Sequence, residues 1–321
     1  MLSVSPVDRA SVPPVSSQPQ ARIVRAPQGT AGVRSFRYVR PHTLDEALSV
    51  LAEHGALAKV LAGGTDLLVR LRLGHVQPSI VLDVKRARGL SAGIVRTDSV
   101  VRIGAGTVMT DIVADAHVRR HYPALIEAAA VVGSVQIRNR ATLAGNICNA
   151  SPAADTAPVL LVYGARVNLV SAAGRREVPL TDFFTGPGRT VMTPGELVES
   201  IDLPLPSGAT GAAFGRITRR YGVDLATINL CCLVTQAGET RFAFGAVGPR
   251  PFLVADRIGT LADPTTTPMS RDAILAELTS HASPISDVRA DRDYRAAMLM
   301  VMSRRALHTA IARLRQPGTG A

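Results

Sequence analysis

At 321 residues, with 46% apolar and 19% charged positions, the chain can fold into two or three domains with cores of their own. No stretch approaches the roughly 20 apolar residues that cross a bilayer, which argues against a membrane span. The net charge of +11 rests almost wholly on arginine spread along the chain, and only 4% of residues are aromatic. A basic stripe interleaved with rings is therefore missing, which argues against nucleic acid and suits an acidic partner protein better.

Residues 1–35 are rich in Pro, Ser, Gln and Gly and read as a disordered tail. They lack the basic start and apolar core of a signal peptide, so a cytoplasmic protein is expected. The first folded unit starts near Phe36. Thr43 and Glu46 have capping-box spacing, Leu44, Ala47, Leu48 and Leu51 recur at helical spacing, and Gly55 suits the stop. "KVLAGG" at 59–64 predicts a short buried strand, residues 66–73 a helix, and "SIVLDV" at 79–84 another strand. Residues 93–106 predict a hairpin turning at Thr97–Ser99, and helices open at Thr110 and in "YPALIEAAAVVGS". A second hairpin turns over Ala172–Gly174, and "ELVESIDLPLP" at 196–206 reads as an edge-like strand closed by prolines. "AAFGRITRR", "ATINLCCLVTQ" and "TRFAFGAVG" predict three successive strands, and two amphipathic helices follow. Strands followed by helices in one block predict a small α+β domain, a three-stranded meander covered by helices.

Cys148, Cys231 and Cys232 include no C-x-x-C pair, so they read as reduced thiols and not as a disulfide, zinc or iron–sulfur framework. The histidines lack ligand spacing, so no metal site is expected. No serine or cysteine nucleophile has a recognisable base, and no catalytic residue is assigned. A dinucleotide fingerprint fails as well: Gly104 and Gly106 start one, but its third glycine position falls on Met109.

Two glycine-bearing turns carry more. In "KVLAGGTDLLVRL", residues Ala62 to Thr65 sit between a strand and a helix start, where successive N–H groups can form a nest for anionic oxygens. Thr65 adds a hydroxyl, Asp66 reads as a cap on the next turn, and a side chain at Gly64 would enter the phosphate space. In "RNRATLAGNICNASPAADTAPVL", Thr142, Gly145 and Asn146 bring a hydroxyl, a bare backbone and an amide into five residues. Asp155 follows in the first turn of a helix, placed to hold a ribityl or ribose hydroxyl. Either turn alone reads as a tight turn. Two in successive small α/β units suit the halves of one pyrophosphate.

"VLAGGTDLL" and "TLAGNICNASPAADTAPVLLVYGA" resemble the two FAD-binding motifs of the flavoprotein (medium) subunit of molybdenum hydroxylases, the xanthine dehydrogenase and carbon monoxide dehydrogenase family. The resemblance runs from about Phe36 to Leu314 and includes "RPHTLDEALSVLAEHG" and "FGAVGPRPF". It implies an α+β chain: a two-subdomain FAD-binding domain of the vanillyl-alcohol-oxidase/PCMH type over 36–208 (subdomains about 36–90 and 91–208), then a C-terminal domain over 209–316. It further implies that Val60, Leu61, Ala62, Gly63, Gly64, Thr65, Asp66 and Leu67 line the pyrophosphate. Thr142, Leu143, Ala144, Gly145 and Asn146 would supply the second phosphate turn, and Asp155 would take a cofactor hydroxyl. Val132 stands where some members carry an aromatic residue against the nucleotide, and Val198 is implied as an apolar contact in the cleft. Arg216 replaces a frequent lysine, keeping the charge but changing the geometry.

The function this implies is electron transfer through FAD, with a large molybdopterin-binding subunit and a small [2Fe-2S] subunit as partners in a dimer of heterotrimers. The alternatives are a stand-alone FAD oxidase of the vanillyl-alcohol-oxidase type, for which the third unit is too small to build a substrate cavity, and a non-enzymatic basic binding module. The substrate, the final electron acceptor and the role of the tail are not legible in this chain.

Overall fold

The computed structural model describes residues 20–24, 34–90 and 92–316. In the first unit, strands β1 (Gln20–Val24), β2 (Phe36–Arg40), β3 (Ala58–Leu61) and β4 (Ile80–Asp83) form one sheet in the order β1-β2-β4-β3. Strands β2, β4 and β3 are parallel, and β1 pairs antiparallel with β2. The reading of residues 1–35 as a disordered tail is corrected here: Gln20–Val24 is a paired strand, and residues 1–19 and 25–33 lie outside the described residues. Helix α1 (Leu44–His54) begins at the expected cap. Thr43 Oγ1 accepts from Glu46 N at 3.2 Å, while the Glu46 carboxylate accepts from His42 N at 2.8 Å. The parallel order obliges the chain to leave the carboxyl end of β3 before helix α2 (Leu67–Arg72), and that is where open α/β sheets present ligands.

The second unit holds a five-stranded sheet. Its strands are β5 (Ile94–Arg96), β6 (Val100–Gly104), β7 (Arg166–Ser171), β8 (Gly174–Pro179) and, after the short pair β9 (Phe184–Gly186) and β10 (Arg189–Thr190), β11 (Leu197–Pro204). The order is β5-β6-β11-β7-β8, every pair antiparallel. The edge-like reading of residues 196–206 is thereby corrected, because β11 is the central strand. Its proline ends the strand lengthwise, with Pro204 opposite Val100 as the last pair, and does not mark an edge. One face of this sheet (Val101, Ile103, Val167, Leu169, Ile201, Leu203) is buried under the helices of the long crossover. These are α3 (Met109–Ala114), α4 (Ala116–His121), α5 (Pro123–Ala130), α6 (Val135–Arg138), α7 (Leu143–Cys148) and α8 (Thr156–Val162), with the single turn α9 (Leu180–Phe183) after β8.

The third unit is an antiparallel meander of β12 (Thr210–Ile217), β13 (Ile228–Thr235), β14 (Thr240–Gly245) and β15 (Phe252–Asp256). It has four strands, not the three expected. Pro251 precedes β15, and an edge strand tolerates a proline at its start because no ladder donor is lost there. The sheet is covered on both faces. Cys232, Leu230, Phe242 and Phe244 point toward α10 (Pro268–Ser280) and α11 (Arg292–Arg315), whereas Cys231, Leu233 and Ala243 join the core of the second unit. The adjacent cysteines thus face opposite ways, as the period of two requires.

Helix α11 lies directly on β12. A Cβ on Gly211 would fall 2.0 Å from the Ala310 carbonyl oxygen and 2.5 Å from Leu314 N. Gly211→Ala is therefore expected to lift the helix from the sheet and cost at least about 1–3 kcal/mol. The midpoint of urea unfolding is the measurement, and an unchanged midpoint would show that the helix seats elsewhere.

Candidate functional site

The two glycine turns meet main chain to main chain. A Cβ on Gly63 would lie 2.3 Å from the Arg140 carbonyl oxygen and 3.0 Å from Ala141 Cα, so only glycine permits this approach. Gly64 has φ +79°, a conformation glycine takes at little cost. Its Cβ would meet Leu61 Cδ1 at 2.8 Å and Leu68 at 3.4 Å. The expectation that a Gly64 side chain enters phosphate space is corrected accordingly, since that side of the loop faces apolar side chains. One glycine makes the bend and the other the contact. Asp66 does not cap the helix that follows; its carboxylate accepts from Asn149 Nδ2 at 3.3 Å and ties the first turn to the second a further time.

Among the described residues no protein acceptor takes the N–H groups of Gly63, Gly64, Thr65 or Ala144. Successive backbone N–H groups without acceptors are the feature that makes a backbone nest attractive to anions. In the second turn Thr142 caps α7, its Oγ1 accepting from Gly145 N at 3.0 Å, which leaves the hydroxyl hydrogen free to donate. Leu143 and Ala144 are buried, and Met109 N donates to Ala141 O at 2.9 Å from behind. Thr156 Oγ1 donates to Asn146 Oδ1 at 2.6 Å, joining this turn to the start of α8.

Asp155 precedes α8 but makes no capping bond. Its Oδ1 instead accepts from Asn229 Nδ2 on β13 at 2.9 Å and lies 3.4 Å from Arg216 Nε on β12. Burial pushes its carboxyl up to about 6, against the opposing pull of the Asn229 bond and the Arg216 charge. Arg216 donates from Nη1 to Val131 O at 3.2 Å and from Nη2 to Asp224 O. The site therefore spans the second and third units. Ala150 and Ala246 lie on either side of this junction with φ +47° and +60°, strained values for alanine, and Ala246 N donates to Pro152 O at 2.7 Å.

The remaining expected residues are placed as follows. Val60 and Ala62 pack on the core of the first sheet, Leu61 is buried beside Val81 and Leu71, and Leu67 packs against that small cluster. Val132 is half-buried beside the Val131 carbonyl that Arg216 grips. Val198 is 6% exposed and belongs to the main core. Asn229 and Gly245 were missed by the sequence reading. Nothing in "ATINLCCLVTQ" sets one buried asparagine apart from a strand's ordinary polar residue. A cavity of about 540 Å³ at the linker after β11 is lined by Tyr163, Pro206, Gln236 and Arg241 and does not touch these turns.

Comparison with known proteins matches residues 34–206 to the FAD binding domain in molybdopterin dehydrogenase and residues 212–310 to the CO dehydrogenase flavoprotein C-terminal domain. The xanthine dehydrogenase FAD-binding subunit of Escherichia coli O157:H7 is 31% identical over 280 residues, 86% of this chain and 96% of that one. The carbon monoxide dehydrogenase medium chain of Hydrogenophaga pseudoflava is 33% identical over 282 residues, 87% of this chain and 98% of that one. Among solved structures, carbon monoxide dehydrogenase from Hydrogenophaga pseudoflava superposes with a TM-score of 0.79 at 32% identity, covering 87% of this chain and 98% of that one. Quinoline 2-oxidoreductase from Pseudomonas putida 86 gives 0.78 at 28% identity, covering 88% and 98%.

The raised carboxyl of Asp155 gives a pH-dependent expectation. A carboxyl whose value rises on folding costs nothing below its ordinary value of 3.8, and the full cost applies above about 6. Asp155→Asn should raise the stability of the ligand-free chain at neutral pH by about 1–3 kcal/mol. The gain should fade as the pH falls through that window. Urea midpoints across pH measure it, and a gain independent of pH would rule out ionisation as its source.

Proposed function

The chain belongs to the FAD-binding subunits of molybdopterin dehydrogenases, and from that premise we propose that its two touching glycine turns hold FAD and that it relays electrons within a larger hydroxylase. The observation that supports the residue assignment is the seat of Gly63 on the Arg140 carbonyl, which brings together two turns whose Gly63, Gly64, Thr65 and Ala144 N–H groups have no protein acceptor among the described residues. The residues fit the cofactor on a second count. The two residues that reach Asp155 each carry a buried polar atom without a hydrogen-bond partner, Arg216 Nε and Asn229 Oδ1. Such unspent hydrogen-bonding capacity suits a polar ligand.

On this reading Gly63, Gly64 and Thr65 donate to one phosphate, and Ala144 N and the Thr142 hydroxyl donate to the other. Val60, Leu61, Ala62 and Leu67 support the first turn from the core side, and Asp66 latches it to Asn149. Leu143, Gly145 and Asn146 shape the second turn. Asp155 accepts from a hydroxyl of the ribityl or ribose chain. Val132 and Val198 supply apolar backing, and Arg216 adds a fixed cation at the junction. FAD supplies the capacity to take up and pass on electrons; the chain's own residues bind it, orient it and set its electrostatic surroundings.

The partners follow from the family. We assign a large molybdopterin-binding subunit, where a substrate is hydroxylated, and a small [2Fe-2S] subunit that feeds electrons to this one, arranged as a dimer of heterotrimers. No helix among the described residues is long and apolar enough to cross a membrane, and three free thiols suit the cytoplasm.

The test is the flavin content of the full chain purified with FAD present. About one FAD per chain is expected, and a folded chain that retains none overturns the proposal. Gly63→Ala should part the two turns and weaken FAD binding at least about tenfold, the scale of one lost charged hydrogen bond. Unaltered retention would show that the turns do not act as one site.

A further inference from the structure

Asn229 sits in the middle of the C-terminal sheet yet serves the other domain. Its side chain is wholly buried, and its amide nitrogen donates both to Asp155 Oδ1 at 2.9 Å and to Ala153 O at 3.3 Å. The Ala153 carbonyl can only accept, so the amide can point only one way. Gly245 stands opposite it in register, and a Cβ there would lie 2.1 Å from Asn229 Oδ1 and 3.1 Å from Pro152 O. A glycine thus keeps open the slot that the asparagine needs. Asp155, in turn, is free of any duty to its own helix, and its Oδ2 has no donor among the described residues.

We infer that Asn229 is the positioning residue of the FAD site: by holding Oδ1 of Asp155 from the C-terminal domain, it turns Oδ2 toward the cofactor hydroxyl. This rests on the reading of Asp155 as a cofactor ligand. The C-terminal domain then contributes to FAD affinity through a residue that need not touch FAD. Arg216 is the charged group facing Asp155. It is held by the carbonyls of Val131 and Asp224, with Arg219 3.6 Å from the Asp224 carboxylate, so it stays in place when Asn229 is changed. Loss of the Asn229 donor should disfavour the ionised Asp155.

The test is FAD titration of the full chain, followed by flavin fluorescence across pH, for Asp155→Ala, Asn229→Ala, the double variant and Gly245→Ala. Asp155→Ala and Asn229→Ala should each weaken FAD binding about tenfold, and the double variant should be no weaker than Asp155→Ala alone. In Asn229→Ala the pH at which affinity strengthens should move upward, a shift that a loss of packing would not produce. Gly245→Ala should do the same by pushing the amide aside, and it keeps the test open if Asn229→Ala fails to fold. Full additivity in the double variant, or weaker binding with an unmoved pH midpoint, would overturn the positioning role and leave Asp155 as a ligand. Unchanged affinity in Asp155→Ala would instead overturn the ligand reading beneath it.

Discussion

The site depends on one contact between two backbones, Gly63 against the carbonyl of Arg140. A side chain of any size on Gly63 would push the loops apart. The contact is supported from both ends. Parallel pairing of β3 with β4 fixes where the first turn leaves its sheet. Behind the second turn, the Val108–Thr142 bridge and the bond from Met109 N to Ala141 O set its height.

From that contact a continuous set of polar links runs across the molecule. Asp66 joins Asn149, Asn146 joins Thr156, and Asp155 next in the chain joins Asn229 and Arg216. Each link crosses from one structural unit or loop to the next. The C-terminal sheet is therefore more than a lid, since it gives one face to the helix that Asp155 precedes and the other to α10 and α11. Glu127 on α5 reinforces the join, accepting from Phe214 N at 3.3 Å and pairing with Arg313 at 2.6 Å.

Local signals with a single cause were legible in the sequence. The Thr43 cap, the apolar stripe of α1, the hairpin around Thr97 and both glycine turns were read from residues within a few positions of each other. What failed was non-local. Nothing in "ELVESIDLPLP" says that β6 and β7 come from distant segments to flank it, so the prolines suggested an edge. The sequence singles out Gly64 as the glycine a side chain would spoil, yet the close backbone approach falls on Gly63, because two adjacent glycines look alike until φ and the Arg140 carbonyl separate them. Asn229 was invisible for the same reason, its partners lying 74 and 76 positions away.

Arginine at position 216 illustrates how a change of side chain alters architecture while charge is kept. A lysine there would offer a single ammonium on a flexible stem, free to follow whatever anion lies near. The guanidinium divides its donors: Nη1 goes to Val131 at the end of α5, Nη2 goes to Asp224 in the loop before β13, and Nε is left within 3.4 Å of Asp155. Two neutral carbonyls thus fix the plane of the cation and leave its third edge toward the Asp155 carboxylate. The ion pair is partial, since Nε makes no hydrogen bond, and burial therefore outweighs it and keeps the Asp155 carboxyl high. Arginine here acts first as a cross-link between domains and second as a charge, and its buried Nε–H is left without a hydrogen bond.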